Sequence, residues 1–221
     1  MHRFLRPRHI PGALAILAAT VATPAAAATE ETQAWITESL VIAATPADTI
    51  SLDHSQRFRR NSSNGDQQTA RVLLDHRIAK GVQLGGGLAF FHSGPEQELR
   101  LFQQATLTRG IFLARTRIEQ RFFDTANRAS WRLRQRVQAS LPLGSAKGPT
   151  LVAAAELFFH LNRARPSDKT GLAVMRQQIG LRQPLSKAID AQLLYMRQQT
   201  FRDGRPDAVV HVPWLSLSWK I

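Results

Sequence analysis

"ASWRLRQRVQASLPL", residues 129–143, sets Arg132, Arg134 and Arg136 at every second position and Trp131, Leu133 and Val137 on the alternate ones. A period of two marks a β-strand with two unlike faces. A soluble sandwich would turn the guanidinium face to water and the apolar face to its core. The preceding stretch "ARTRIEQRF", residues 114–122, repeats the pattern, with Arg115, Arg117, Glu119 and Arg121 opposite Ala114, Ile118 and Phe122.

The alternation recurs outward from here in eleven blocks of about ten to thirteen residues, from Gln33–Ala43 to Ala208–Lys220. Strands of globular proteins usually run to about five or six residues. Transmembrane strands need about nine to eleven, and outer-membrane barrels alternate apolar-out with polar-in along each. In the block Gln68–Ala79, Val72, Leu74 and Ile78 oppose Arg71, Asp75 and Arg77.

The connections alternate as well. "TPAD", "AKG", "TRG" and "LSKA" are tight, whereas "RNSSNGDQ", "SGPEQ", "DTANRAS", "NRARPSDK" and "TFRDGRPD" are longer and polar; only "GSAKG" blurs the rule. Bacterial barrels place short turns on the periplasmic side and longer loops outside. Phe58, Phe90, Phe91, Phe122, Phe123, Trp131, Phe158, Phe159 and Phe201 cluster near the long loops and predict an aromatic girdle, with Phe112 and Trp219 at the other rim. The ending "VHVPWLSLSWKI" supplies a last strand whose Leu215, Leu217, Trp219 and Ile221 share one face.

The chain has 221 residues and a formal net charge of +13, a balance that would ordinarily suggest a nucleic-acid partner. The N-terminus points elsewhere. A basic start, an apolar stretch from Ile10 to about Val21, and Ala26 and Ala28 at an A-x-A site predict a secretory signal peptide over residues 1–28, leaving one β-barrel domain over 29–221. An exported protein does not meet nucleic acid. With no Cys, disulfides, thiolate metal sites and a lipidated N-terminal Cys are excluded. Beyond residue 28 the best apolar run, "LVAAAELFF", is nine long and broken by Glu156, too short for a helical span.

These readings converge on an all-β fold, an antiparallel up-and-down transmembrane barrel of ten to twelve strands. Parity sets the range, because single-chain bacterial barrels carry an even number of strands. Either the first block is a lumenal or rim segment, or one short strand escapes the pattern. The lumen is then lined by Arg115, Arg117, Glu119, Arg121, Arg132, Arg134 and Arg136, with Asp75, Glu98 and Glu156 as carboxylate partners and Asp53 and Asp190 also inward. A hairpin turning near residues 126 and 127 would set Arg121 beside Arg132, Glu119 beside Arg134 and Arg117 beside Arg136. Such side chains fill a small barrel and leave at most a narrow, anion-favouring path. On the loops, Arg60, Arg128, Arg163, Arg165, Lys169, Arg202 and Arg205 are candidates to grip lipopolysaccharide phosphates.

The segments "TQAWITESLVI", "ISLDHSQRFR", "ELRLFQQATL", "ARTRIEQRF", "RLRQRVQASLPL" and "AAELFFHLN", with Trp35, Glu119, Arg121, Arg134, Arg136 and Glu156 among them, resemble the domain of unknown function 2490 family. The resemblance implies a bacterial outer-membrane barrel and supplies no catalytic residues.

No G-x-S-x-G elbow, H-E-x-x-H pair or Walker loop occurs, and Gly85–Gly87 fall inside a strand, where glycine permits close approach of another segment. His54, His76, His92, His160 and His211 lie in different blocks without metal-ligand spacing. A lipid hydrolase would need His54 to meet Ser51 or Ser55. The expectation is a monomeric, non-enzymatic outer-membrane barrel without cofactor or metal, structural or transport-related, with outer-membrane lipids as partners. The alternatives are a soluble periplasmic β protein binding an anionic ligand and, more distantly, a lipid-modifying enzyme.

Overall fold

The computed structural model describes residues 28–59, 65–94, 96–144 and 148–221. The expected signal segment, up to residue 27, and Arg60 lie outside them. The described residues form an all-β chain of twelve strands. They are β1 (Thr29–Thr32), β2 (Ala34–Ala43), β3 (Asp48–Phe58), β4 (Gln67–Ala79), β5 (Val82–Ser93) and β6 (Glu96–Arg109), then β7 (Phe112–Phe123), β8 (Ser130–Pro142), β9 (Thr150–His160), β10 (Gly171–Pro184), β11 (Ile189–Thr200) and β12 (Ala208–Lys220). No helix among the described residues is long and apolar enough to cross a membrane.

Neighbours in sequence pair antiparallel from β2 through β12, and β12 then pairs with β2, so eleven strands close into a barrel. The closing pair is parallel, running from Trp214 beside Trp35 to Lys220 beside Val41. Strand β1 extends the same seam, parallel to β12, with Thr29 opposite Ala208. The expected even count is thereby corrected. The first block is a wall strand, and an odd number closes because its last pair needs no hairpin and is free to run parallel.

The connections sort onto two rims as expected. Lys80–Gly81 and Gly110–Ile111 are two-residue turns, and Gly81 has φ of 75°, the left-handed backbone such turns require. A Cβ there would also lie 2.3 Å from the carbonyl oxygen of Thr108. On the opposite rim, "SGPEQ" is tighter than its composition suggests, because strand pairing continues to Ser93 and resumes at Glu96.

The β7–β8 register corrects a second expectation. Arg121 faces Ser130, Glu119 faces Arg132, Arg117 faces Arg134 and Arg115 faces Arg136, two residues away from the predicted pairing. Backbone bonds from Asp124 to Gln97 and from Ala126 to Phe123, with Thr125 Oγ1 donating to Glu96 at 2.9 Å, hold the loop over β6 and move the turn centre. A slip of two keeps every side chain on its face, so the lumen keeps its composition.

Outside, Val72, Leu74, Ile78, Leu84, Leu88, Leu107, Val137, Ile179, Leu181 and Leu193 are exposed. Inside, Glu119 and Glu156 are as buried as Met196 and Val212. The usual arrangement of a globular protein is reversed.

Candidate functional site

The lumen is organised by inward positions of β6 through β10. Their registers align Arg115, Arg136, Glu156 and Arg176 across four strands, and Phe102, Glu119 and Arg132 across three. Like charges stand directly opposite at Arg115–Arg136 and Arg117–Arg134, so their carboxylates come from elsewhere on the face, some directly opposite, as Glu119 is to Arg132, and some along diagonals. Arg134 is the clamp: its Nη1 donates to Glu119 Oε1 at 2.7 Å, while Nη2 and Nε donate to Glu156 Oε1 at 2.8 and 3.1 Å.

Each buried carboxylate serves several guanidiniums. Glu119 accepts from Arg132 Nε at 2.8 Å and stands 3.8 Å from Arg117. Glu156 also takes Arg115 at 3.0 Å and has Arg136 at 3.9 Å. Nearer the long-loop rim, Glu98 accepts from both Arg100 and Arg121, with Nη2 distances of 2.6 and 3.1 Å. Asp75 joins indirectly: it accepts from Gln104 Nε2 at 2.8 Å, and Gln104 Oε1 accepts from Arg117 Nη2 at 2.6 Å. All ten residues expected in the lumenal network lie on one inner face: Glu119 and Glu156 gather Arg115, Arg117, Arg132, Arg134 and Arg136, Glu98 holds Arg121 in a separate group, and Asp75 joins through Gln104.

Aromatic rings supply the remaining support. Phe91, Phe158 and Phe123, expected in the outer girdle, turn inward instead. Arg100 lies 3.5 Å from the Phe91 ring centre, Arg134 lies 4.5 Å from Phe158, and Arg121 lies 4.6 Å from Phe123. Adjacent Phe–Phe dipeptides must split between faces in a strand, so half of each pair was bound to enter the lumen. Phe58, Phe90, Phe122 and Trp131 stay exposed, as do Phe112 and Trp219 at the other rim.

A cavity of about 170 Å³ remains between this network and the β12–β2–β3 side of the barrel, lined by seven arginines against Asp53 and Glu119. Two of the seven make no ion pair or hydrogen bond with a carboxylate among the described residues. Arg57 on β3 donates to Gln67 Oε1 at 2.7 Å and stacks on Trp35 at 4.0 Å. Arg176 on β10 donates to Gln198 Oε1 at 2.7 Å and lies 4.8 Å from Phe158 and 5.3 Å from Trp35. The Arg57 Nε and the Ser55 hydroxyl, both in the cavity wall, make no hydrogen bond.

Sequence reading passes over Arg57, Arg100 and Arg176, although each has the inward parity of its strand. None of the three stands in a run of alternating arginines, and only closure of the barrel makes them converge. The glycines Gly85 and Gly87 face this lumen: a Cβ on Gly87 would sit 2.9 Å from the Phe102 ring, which supports Arg117 at 4.2 Å. His54 is exposed on the outer face, whereas Ser51 and Ser55 alternate to the inner one, so strand geometry separates that pair.

On the long-loop rim, Arg128, Arg163 and Arg205 are exposed. Arg165 is engaged with Glu96 and stacks over Phe123 at 4.7 Å, and Lys169 is paired with Asp203. The backbone of Arg202 donates to Asp207 at 3.1 Å. The expected loop cluster is thus divided between cations without an ion pair among the described residues and cations that tie the rim together.

A comparison with curated proteins finds no match. The family model for proteins of unknown function DUF2490 matches residues 32–209, from just before β2 to the start of β12, and on that extent the chain belongs to the DUF2490 family.

Proposed function

We propose that this protein is an outer-membrane barrel, structural or transport-related, whose lumen is closed to large solutes by its own arginines and glutamates. The observation that carries this reading is the inversion of polarity. Large apolar side chains are exposed around a closed wall while glutamates are buried within it. Exposed apolar patches of such extent mark contact with a membrane or partner. Strands of ten to fourteen residues have the length to cross a bilayer when tilted. The belt is interrupted beside the seam, where Glu38 and His54 are register neighbours facing outward.

The same observation disfavours the soluble periplasmic reading, in which this surface would meet water. Outer-membrane lipids are then the partners, and the exposed Arg128, Arg163 and Arg205 are placed to meet the phosphates of lipopolysaccharide. Cell fractionation with electrophoresis of unboiled and boiled samples tests the proposal. Outer-membrane recovery with a boiling-dependent mobility shift is expected; soluble periplasmic recovery without a shift would overturn it. In planar bilayers, a large and weakly selective conductance would refute the closed lumen.

A further inference from the structure

We infer that the lumenal cavity between Arg57, Arg100, Arg176 and Trp214 is a binding site for a small oxyanion carrying two or more negative charges, of the phosphate class. The inference depends on the closed barrel and its lining, and holds for the protein in detergent irrespective of its membrane.

Charge is the first support. Seven arginines line the cavity against Asp53 and Glu119, and even with Glu98 and Glu156, which bond Arg100 and Arg134 from outside the lining, the arginines outnumber the carboxylates. The three buried glutamates do not reach all of them. Among the described residues Arg57 and Arg176 form no ion pair: their hydrogen bonds go to neutral amides and their planes lie on aromatic faces, although Glu156 stands opposite Arg176 on the next strand. Structural guanidiniums in a closed network normally find carboxylates, as Arg134 and Arg132 do here. Guanidiniums held in place without them present their forks to an incoming anion.

Preorganisation is the second. Trp35 and Phe158 fix the planes of Arg57 and Arg176, so little rotamer freedom remains to be lost on binding. Two further polar groups of the lining, the Arg57 Nε and the Ser55 hydroxyl, carry donors with no acceptor among the described residues. Size is the third. The volume of about 170 Å³ is near the ~150 Å³ that admits one benzene, enough for phosphate or a small phosphate monoester.

Free phosphate and a monoester share the chemistry that the site recognises, and calorimetric titration of the refolded barrel with inorganic phosphate and, separately, glycerol phosphate distinguishes them. Saturable binding of at least one is expected, absent for chloride at equal ionic strength. Arg57→Gln and Arg176→Gln should each weaken it by about tenfold or more, the loss of one charge-assisted contact. No saturable heat with either phosphate in the wild-type barrel would overturn the inference. So would unchanged affinity in both variants, each verified as folded by heat-modifiable mobility. Should one variant fail to fold, the other decides. Conductance and fractionation play no part in this measurement, so a protein that binds phosphate yet proves soluble would refute the membrane reading alone.

Discussion

The two sides of the lumen are built from different materials. Across β6 to β10, buried glutamates bind the arginines of neighbouring strands, and polar contacts dominate. Across β11, β12 and β2, Trp35, Met196, Val210 and Val212 form a compact apolar cluster with Trp214 packed on it. The charged side follows strands joined by hairpins, whose loops already fix their register. The apolar side spans the one junction without a loop. There the Trp35 and Trp214 rings meet edge-on at 5.3 Å, and Trp214 Nε1 donates to Thr37 Oγ1 at 3.0 Å. Non-directional burial suits a junction that must first be found; directional ion pairs suit strands already delivered in register.

The largest effect should come from the charged side. Glu119→Ala strands Arg132, Arg134 and Arg117 in a buried site and should lower unfolding stability by about 4 kcal/mol, read by urea unfolding of the barrel in micelles. A loss no larger than that of a surface substitution would mean that water reaches this network and weakens it.

On the apolar side, Trp35→Ala should cost about 3 kcal/mol and, unlike the glutamate change, open the seam, seen as early loss of the heat-modifiable band. Equal seam protection in both variants would erase the division of labour between the two sides. Between them, Gly87→Ala would place a Cβ 2.1 Å from the Val72 carbonyl oxygen and press on Phe102 beneath Arg117; about 2 kcal/mol of destabilisation is expected in the same urea assay. The smallest effect belongs to the rim. Lys169→Ala removes an ion pair with the exposed Asp203, and should change stability by less than about 1 kcal/mol, with what remains vanishing in high salt.

The asymmetry also explains what sequence reveals here. Period-two alternation decides which face a side chain takes, and Arg115, Arg117, Glu119, Arg121, Arg132, Arg134, Arg136 and Glu156 share one face of their strands. It is blind to a slip of two, so it pairs Glu119 with Arg134, whereas the loop at residues 124–129 fixes the turn and sets Glu119 opposite Arg132. The seam had no local signal. Trp35 and Trp214 meet through no intervening turn, and the last block gives no sign that its second neighbour runs parallel. The cavity was hidden for the same reason, since Arg57 and Arg176 become neighbours of Trp35 only once the sheet has closed.

The parallel seam gives the molecule a sidedness that hairpins alone would not. Thr29 hydrogen-bonds to Asp207 at the long-loop rim, whereas Ile221 bonds to Val41 and Ala43 at the tight-turn rim. In the outer-membrane setting we propose, a protease or antibody confined to one compartment would read an epitope beside Thr29 or one beside Ile221, never both. Under that proposal, with tight turns toward the periplasm, closure would join two strand ends that lie on opposite sides of the membrane.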